Sequence, residues 1–402
     1  MNKKVLFTCN PHWLGGPTTW LRRASEYLPK HGWACKLVLP GTHKQGGDDW
    51  SHWPSPMEVL KPAYSGPALV GALSRTIGKF DADVVLNVAL DATPNAIRML
   101  RLRRRHLQLP YIDCLHNDNA FECERLRNHV DVISAVAVPS EGCAERVRTQ
   151  IPELSDRVAR FWCPAPCDAS VSRDTSGGPL KLVYLGRLFQ HGKRILDLVP
   201  LCAELVKRKV DFELTVIGDG PERNALEVGV RSVPGLSPRV RIMGWMANDK
   251  ALQLLKQQHV LIMLSDLEGQ PIALLEAMGS SVVPVVTDIP ALREVIEHGE
   301  NGFLLPVGDS QEFTNTLASL AHDRERLAEV AQAACTHIRG AWETGVAISK
   351  LSDLLHAVVS RPDRRGATLS PISYPPSRMT QLHVPHAVQG IKRRLLRQDI
   401  VF

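Results

Sequence analysis

"LKLVYLGRLFQHGKRILDL" spans Leu180–Leu198 and sets the pattern for half the chain. Leu180–Gly186 is a short apolar run closed by a glycine, the mark of a buried strand. After it come a loop bearing Arg187 and Lys193 and then a helical pattern. The same alternation continues through "FELTVIG" (Phe212–Gly218), "RVRIMG" (Arg239–Gly244), "VLIML" (Val260–Leu264) and "VVPVV" (Val282–Val286). Helices separate these runs, and at least two more follow to Ser360. Short apolar strands alternating with helices predict a parallel sheet covered on both faces.

Towards the N-terminus the pattern repeats. "KVLFTC" (Lys4–Cys9), "ACKLVL" (Ala34–Leu39), "ADVVLNV" (Ala82–Val88), "YIDCL" (Tyr111–Leu115) and "AVAV" (Ala135–Val138) read as strands. Helical patterns lie between several of them, including 93–106 and 140–150. At 402 residues the chain is too long for one ordinary core. The expected fold is α/β, with two doubly wound parallel-sheet domains facing a cleft. The first covers 1–170 and the second 180–345, joined by a small, polar linker over 171–179. A C-terminal helix at 346–360 precedes a basic, Pro-containing tail, 361–402, whose composition suits an extended or disordered segment.

With 44% hydrophobic and 22% charged residues the chain is globular in type, and no apolar stretch reaches the ~20 residues needed to cross a bilayer. "MNKKVLFTCN" enters a strand directly, without a signal-peptide core. Nine irregularly spaced cysteines point to a reducing cytoplasm. "CPAPC" (Cys163–Cys167) has no second Cys/His pair at ligand spacing, so its cysteines read as structural. Residues 361–402 carry 8 Lys+Arg against 2 Asp+Glu, and "RMLRLRRRH" (Arg98–His106) is a second basic run. Both suit contact with anionic lipid as well as simple solvation; nothing in the pattern calls for nucleic acid. The expected location is the cytoplasm, free or peripheral on the inner face of the membrane.

Doubly wound sheets bind ligands beyond the carboxyl ends of their strands, so the residues there carry the functional reading. Gly15-Gly16, after the first strand, lets the backbone approach a phosphate at a helix start, or simply makes a turn. "GRLFQHGKR" fails as an ATPase loop, because Gly186 and Gly192 are one residue too far apart and Arg194 replaces the magnesium-binding hydroxyl. Arg187 and Lys193 remain as a cationic pair suited to a diphosphate. "GDGPER" (Gly218–Arg223) lacks the third glycine of a dinucleotide fingerprint and reads as a strand-to-helix turn. Asp81-Ala82-Asp83 precedes its strand and reads as a solvated turn. His116 lies at a strand end, placed either to bond a ligand or to support the fold. "EGQPIALLEAMG" (Glu268–Gly279) is an apolar helix with Pro271 at its first position. It sets Glu276 among core residues, where a carboxylate needs a partner, one that could lie outside the protein.

Taken together, Gly15-Gly16, "GRLFQHGKR", "GDGPE" and "EGQPIALLEAMG" resemble glycosyltransferase family 4, and "VVPVVTDIPALREVIEHGENGFLLPVGD" (Val282–Asp309) resembles the segment that follows in that family. The resemblance covers about residues 180–345 and is looser before them. It implies the GT-B fold and transfer of a sugar, with retention, from a nucleotide-diphosphate donor to a sugar or lipid-linked acceptor. Arg187 and Lys193 would neutralise the diphosphate, and no metal or other cofactor would be required. Glu268 would contact the transferred sugar and Glu276 the ribose. Gly269, Gln270, Pro271 and Ile272 would face the donor at the helix start, and the backbone near Met246 the base. Gly15 and Gly16 would approach the phosphate, and His116 the reacting sugar. An epimerase on the same fold, or a silent nucleotide-sugar-binding protein, are the competing readings.

Overall fold

Two parallel sheets organise the molecule. The structure, a computed structural model, describes residues 2–10, 15–41, 53–61, 66–102, 108–116, 120–168 and 177–361. In the first sheet β1 (Lys3–Cys9), β2 (Trp33–Pro40), β3 (Met57–Leu60), β4 (Val84–Val88), β5 (Tyr111–Cys114), β6 (Ala135–Val138) and β7 (Val158–Arg160) lie in the order 3-2-1-4-5-6-7. In the second, β8 (Leu180–Leu185), β9 (Phe212–Ile217), β10 (Val240–Gly244), β11 (Val260–Met263), β12 (Val283–Thr287) and β13 (Phe303–Leu305) lie in the order 10-9-8-11-12-13. Every residue of β4, β5, β6, β11 and β12 is buried, as a parallel sheet covered on both faces requires.

The helices of the first half are α1 (Gly16–Tyr27), α2 (Gly66–Phe80), α3 (Thr93–Leu102), α4 (Ala120–Arg127) and α5 (Glu141–Gln150). Those of the second are α6 (Leu198–Lys207), α7 (Arg223–Ser232), α8 (Asn248–Leu255), α9 (Ile272–Gly279), α10 (Pro290–Arg293), α11 (Ser310–His322), α12 (Arg324–Ala341) and α13 (Thr344–Ser360). The last helix returns to the first sheet. Ser352 on α13 accepts a 3.0 Å hydrogen bond from the Trp33 indole, and His356 lies 4.8 Å from the same ring system. Ile348, Leu351 and Leu355 accordingly share one apolar cluster with Val5, Phe7 and Trp33. That cluster also takes in Leu274 and Met278 of α9, so the two halves are packed together through one core.

All ten expected strands form, shifted at most by two residues at an end. Three others, β3, β7 and β13, carry no strong sequence signal. Each is an edge strand of only three or four residues, most of them partly exposed, too short for the apolar run that marks a central strand. Pro271 sits one position earlier than expected, at the N-cap of α9 with extended ψ 116°, and the helix begins at Ile272. Of the expected linker only 177–179 are among the described residues, and the tail after Arg361 lies outside them.

Candidate active site

In the second sheet the strand order reverses between β8 and β11, which opens a crevice at their carboxyl ends. The two loops there hold the cations and the carboxylate singled out by sequence. Their backbones meet where Asp266 N donates to Gly192 O at 3.2 Å. Across this junction Lys193 Nζ donates to Glu268 Oε1 at 2.5 Å. The Glu268 side chain is buried and the lysine side chain partly exposed, so the pair lies at the crevice wall. Arg187 is exposed, its guanidinium 5.5 Å from the centre of the Phe189 ring. The third cation, Arg194, is held by Asp197 at 2.6 Å and is therefore committed inside the protein.

The "GDG" turn holds the Arg187 loop in place. Leu188 N donates to Asp219 O at 3.0 Å, and Tyr184 Oη donates to Arg187 O at 2.8 Å. A Cβ on Gly218 would collide with Gly186 O, and one on Gly220 with Leu188 O. Gly218 also has φ 139°, a conformation L side chains rarely adopt. These glycines serve backbone packing, in keeping with a strand-to-helix turn.

The first half closes over the start of α9. Gly15, with φ 113°, turns the chain into α1, and a Cβ on Gly16 would lie 3.9 Å from Ile272 Cδ1. Cys163 N donates to Gln270 Oε1 at 3.0 Å, while the buried Gln270 Nε2 has no partner among the described residues. His116 is buried against Trp20 and Phe161, at ring-centre distances of 5.6 Å and 5.8 Å. Burial, assisted by the nearby Arg125 charge, lowers its pKa to about 3, so the imidazole is neutral. Its backbone N–H donates to Glu122, but Nε2 finds no partner among the described residues. Met246 is partly buried and packs against the shared core. Asp81–Asp83 lies at the opposite edge of its sheet, where Asp83 accepts a 2.6 Å hydrogen bond from Lys4 N.

Glu276 has a partner inside the protein. Arg23 of α1 forms a short ion pair with Glu276 Oε1, and Asn248 Nδ2 donates to the same oxygen at 2.9 Å. Arg23 also donates to Pro164 O at 2.6 Å. The charge is thus neutralised by a residue of the other half. Sequence reading missed Arg23, although it stands three residues after Trp20 and so shares that buried helix face. Asn248 gave no signal beyond a turn residue at a helix start. The basic run at 98–106 also needs correction. Arg98 is buried and paired with Asp131, and the buried Arg101 donates to Leu109 O at 3.0 Å, so neither can face lipid. Residues 103–107 lie outside the described residues.

Residues 179–323 match the family model described as "Glycosyl transferases group 1". N-acetyl-alpha-D-glucosaminyl L-malate synthase of Bacillus anthracis is 29% identical over 178 residues, which are 44% of this chain and 45% of that protein. The amylovoran biosynthesis glycosyltransferase AmsK of Erwinia amylovora is 26% identical over 189 residues, 46% of each. The chain thus aligns with less than half the length of these relatives. Among solved structures, Anabaena Alr3699/HepE in complex with UDP and glucose superposes with a TM-score of 0.73 at 17% identity, covering 88% of this chain and all of that one. Sucrose-phosphate synthase from Thermosynechococcus elongatus gives 0.72 at 15% identity over 89% of this chain and 99% of its own. The architecture is therefore GT-B, two Rossmann-like domains forming a cleft. Among the described residues no group of three or more His, Cys, Asp or Glu comes together as a metal site, and no helix is long and apolar enough to cross a membrane.

Proposed function

We propose that the protein is a retaining glycosyltransferase that moves a hexosyl group from a nucleotide-diphosphate sugar to an acceptor hydroxyl in glycan, polysaccharide or glycolipid synthesis. The observation that carries this reading is the Lys193–Glu268 pair at the switch point of the second sheet, within the segment that matches the family model. Breaking an anomeric C–O bond leaves negative charge on the departing diphosphate. Fixed cations aimed at that charge are often the largest catalytic term. Lys193 and the exposed Arg187 supply them, and the donor is held without a metal. Glu268, already oriented by Lys193, offers an acceptor oxygen to hydroxyls of the transferred sugar.

Glu276 can serve the ribose without breaking its internal pair. Arg23 and Asn248 both bond Oε1, which leaves Oε2 for a ribose hydroxyl. A neutral His116 with an unsatisfied Nε2 suits a hydrogen bond to an uncharged hydroxyl of the sugar. Gly15 and Gly16 bring the α1 N-terminus towards the phosphates, Gly269 to Ile272 line the donor at the start of α9, and the backbone at Met246 faces the base. The acceptor is a sugar or lipid-linked sugar bound by the first half. Peripheral contact with the inner face of a membrane rests on Arg103–Arg105 and the basic tail.

Thermal-shift screening of a nucleotide-sugar panel, followed by assay of released nucleoside diphosphate with candidate acceptors, tests the proposal. A ligand held at a hundredfold excess over its Kd stabilises by about 2.7 kcal/mol. Release of nucleoside diphosphate together with glycosylated acceptor is the expected result. An epimerised sugar nucleotide would move the assignment to the epimerase, and absence of any stabilising nucleotide sugar would overturn it.

A further inference from the structure

None of the nine cysteines is in a disulfide, and among them Cys167 alone is not buried. Its Sγ lies 3.1 Å from Sγ of Cys335, a residue 168 positions away in the middle of α12. Cys167 stands on the segment that leaves β7 and crosses towards the second sheet. The crossing is firmly seated there. Ala165 N donates to Trp342 O at 2.8 Å, and Asp168 N donates to Gly279 O at 2.9 Å. A Cβ on Gly279 would collide with Pro166 O, so the end of α9 touches the same segment. Cys335 Sγ itself points at Gly279 O, 3.6 Å away.

We propose that Cys167 and Cys335 are a redox-active thiol pair, closed reversibly to a disulfide by a low-molecular-weight disulfide such as oxidised glutathione. The two sulfurs need to approach by only about 1 Å to reach the bonded distance. The partly exposed Cys167 is the thiol an oxidant meets first, and the buried Cys335 resolves it. In the first step the Cys167 thiolate attacks one sulfur of the oxidant and expels one thiolate, leaving a mixed disulfide. In the second, the Cys335 thiolate attacks Cys167 Sγ and expels the other. Two protein thiols are oxidised, and the small disulfide is reduced to two thiols. Burial pushes the Cys167 thiol up to about 11, and the neighbouring Arg339 guanidinium works against that shift. Closure is therefore faster in mildly alkaline solution.

The other cysteine of "CPAPC" is not the partner. Cys163 is buried, its thiol is pushed up to about 12, and its backbone is engaged by Gln270. The bond would tie the interdomain crossing to α12, which packs on α9, and so would restrain movement of one half against the other. This inference does not depend on the proposed activity.

The experiment uses the full chain, folded and without denaturant, incubated with oxidised glutathione at pH 8.5 and then alkylated. Non-reducing tryptic digestion should yield the cross-link between the peptide 161–173 and the peptide 327–339, with fragmentation placing the bond at Cys167. Dithiothreitol should remove it. Cys167→Ser and Cys335→Ser should each abolish it, and in Cys335→Ser glutathione should remain on Cys167. The oxidised parent should melt higher than the reduced one, with no such difference in either variant. A Cys163–Cys167 bond, glutathione persisting on Cys167 in the parent, or recovery of both thiols unoxidised would each overturn the proposal.

Discussion

At the carboxyl edge of the second sheet, Lys193 and Glu268 meet across two loops and face the crevice. At the same edge of the first sheet the polar groups are spent on one another. Thr8 donates to Asn87 at 2.8 Å, Thr93 donates to Thr8 at 2.9 Å, and Arg125 donates to Asp113 at 2.7 and 2.8 Å, all of them buried. The second half thus keeps charge available for a ligand, and the first uses it to fix its own loops. A pair at the crevice wall can exchange protein partners for ligand oxygens at modest cost. A closed internal network cannot, because every lost partner leaves a buried polar group unsatisfied. In the proposed reading, recognition by the first half falls to backbone, aromatic rings and atoms such as His116 Nε2 that have no partner among the described residues.

The largest expected effect lies where the halves join. Arg23→Ala would leave Glu276 buried without its cation, and breaking a buried pair typically costs about 3–5 kcal/mol. Urea denaturation should show that loss, together with separation of the two halves' unfolding. Arg23→Ala combined with Glu276→Gln should recover part of it, because no uncompensated charge remains. Equal stability of Arg23→Ala and the parent would mean that the halves are not held by this pair.

The glycines distinguish the halves next. Gly218→Ala adds a backbone collision to a left-handed-type conformation and should cost about 3 kcal/mol, displacing the Arg187 loop. At Gly15 a Cβ meets nothing within 4 Å, so Gly15→Ala carries only the conformational strain, about 1–2 kcal/mol. Chemical denaturation of the two variants measures the contrast. Similar losses in both would show that the packing of the "GDG" turn is not what holds the Arg187 loop.

A smaller effect, confined to ligand behaviour, is expected at the crevice. Lys193→Ala should lower nucleoside-diphosphate affinity roughly ten- to hundredfold, the cost of a charge-assisted hydrogen bond of about 1.5–3 kcal/mol. Glu268→Gln should slow turnover yet leave free nucleoside diphosphate, which carries no sugar, binding nearly as before. Calorimetric titration with nucleoside diphosphate and donor, beside kcat and KM, separates the two. Unchanged binding in Lys193→Ala would move the phosphate site elsewhere.

Much of the second half was legible because its chemistry is local. Arg187, Lys193 and Glu268 each follow a strand whose apolar run is unmistakable, so the residue and its placement come together in the sequence. What escaped depends on contacts distant along the chain. Arg23 and Glu276 are 253 residues apart, and nothing local announces that one neutralises the other. Arg98 and Arg101 looked like a surface run because a string of cations carries no mark of which face each occupies. The edge strands β3, β7 and β13 were unreadable for a related reason: they are three or four residues long, and their order comes from the neighbouring strand. The first half's site is the least legible part, since its polar residues mostly serve its own fold.

Acid gives the mildest test of the comparison, through two strongly shifted histidines of the first half, His116 and His129. His116 is lowered to about 3 by burial and then by Arg125. His129 is lowered to about 4 by burial and then by Arg98, with Asp113 and Asp131 opposing. Below the ordinary value of 6.5 the unfolded chain takes up protons that these buried rings refuse. Stability therefore falls as pH falls from 6.5, until about 4 for His129 and about 3 for His116. The cost per histidine rises from about 0.7 kcal/mol per pH unit at 6.5 to about 1.4 kcal/mol per unit once the unfolded ring is fully protonated. Between pH 6.5 and 5.5 the pair together should account for roughly 2 kcal/mol of loss, because the unfolded rings are only half protonated at pH 6.5. His116→Asn and His129→Asn remove one such term each, so their stability curves should be flatter than the parent's by that slope, whatever their offset at pH 7. Urea midpoints measured at pH 7, 6.5, 6 and 5.5 give the slopes. Parallel curves for parent and variants would show that the rings take up protons in the folded state, and the neutral role proposed for His116 would fall.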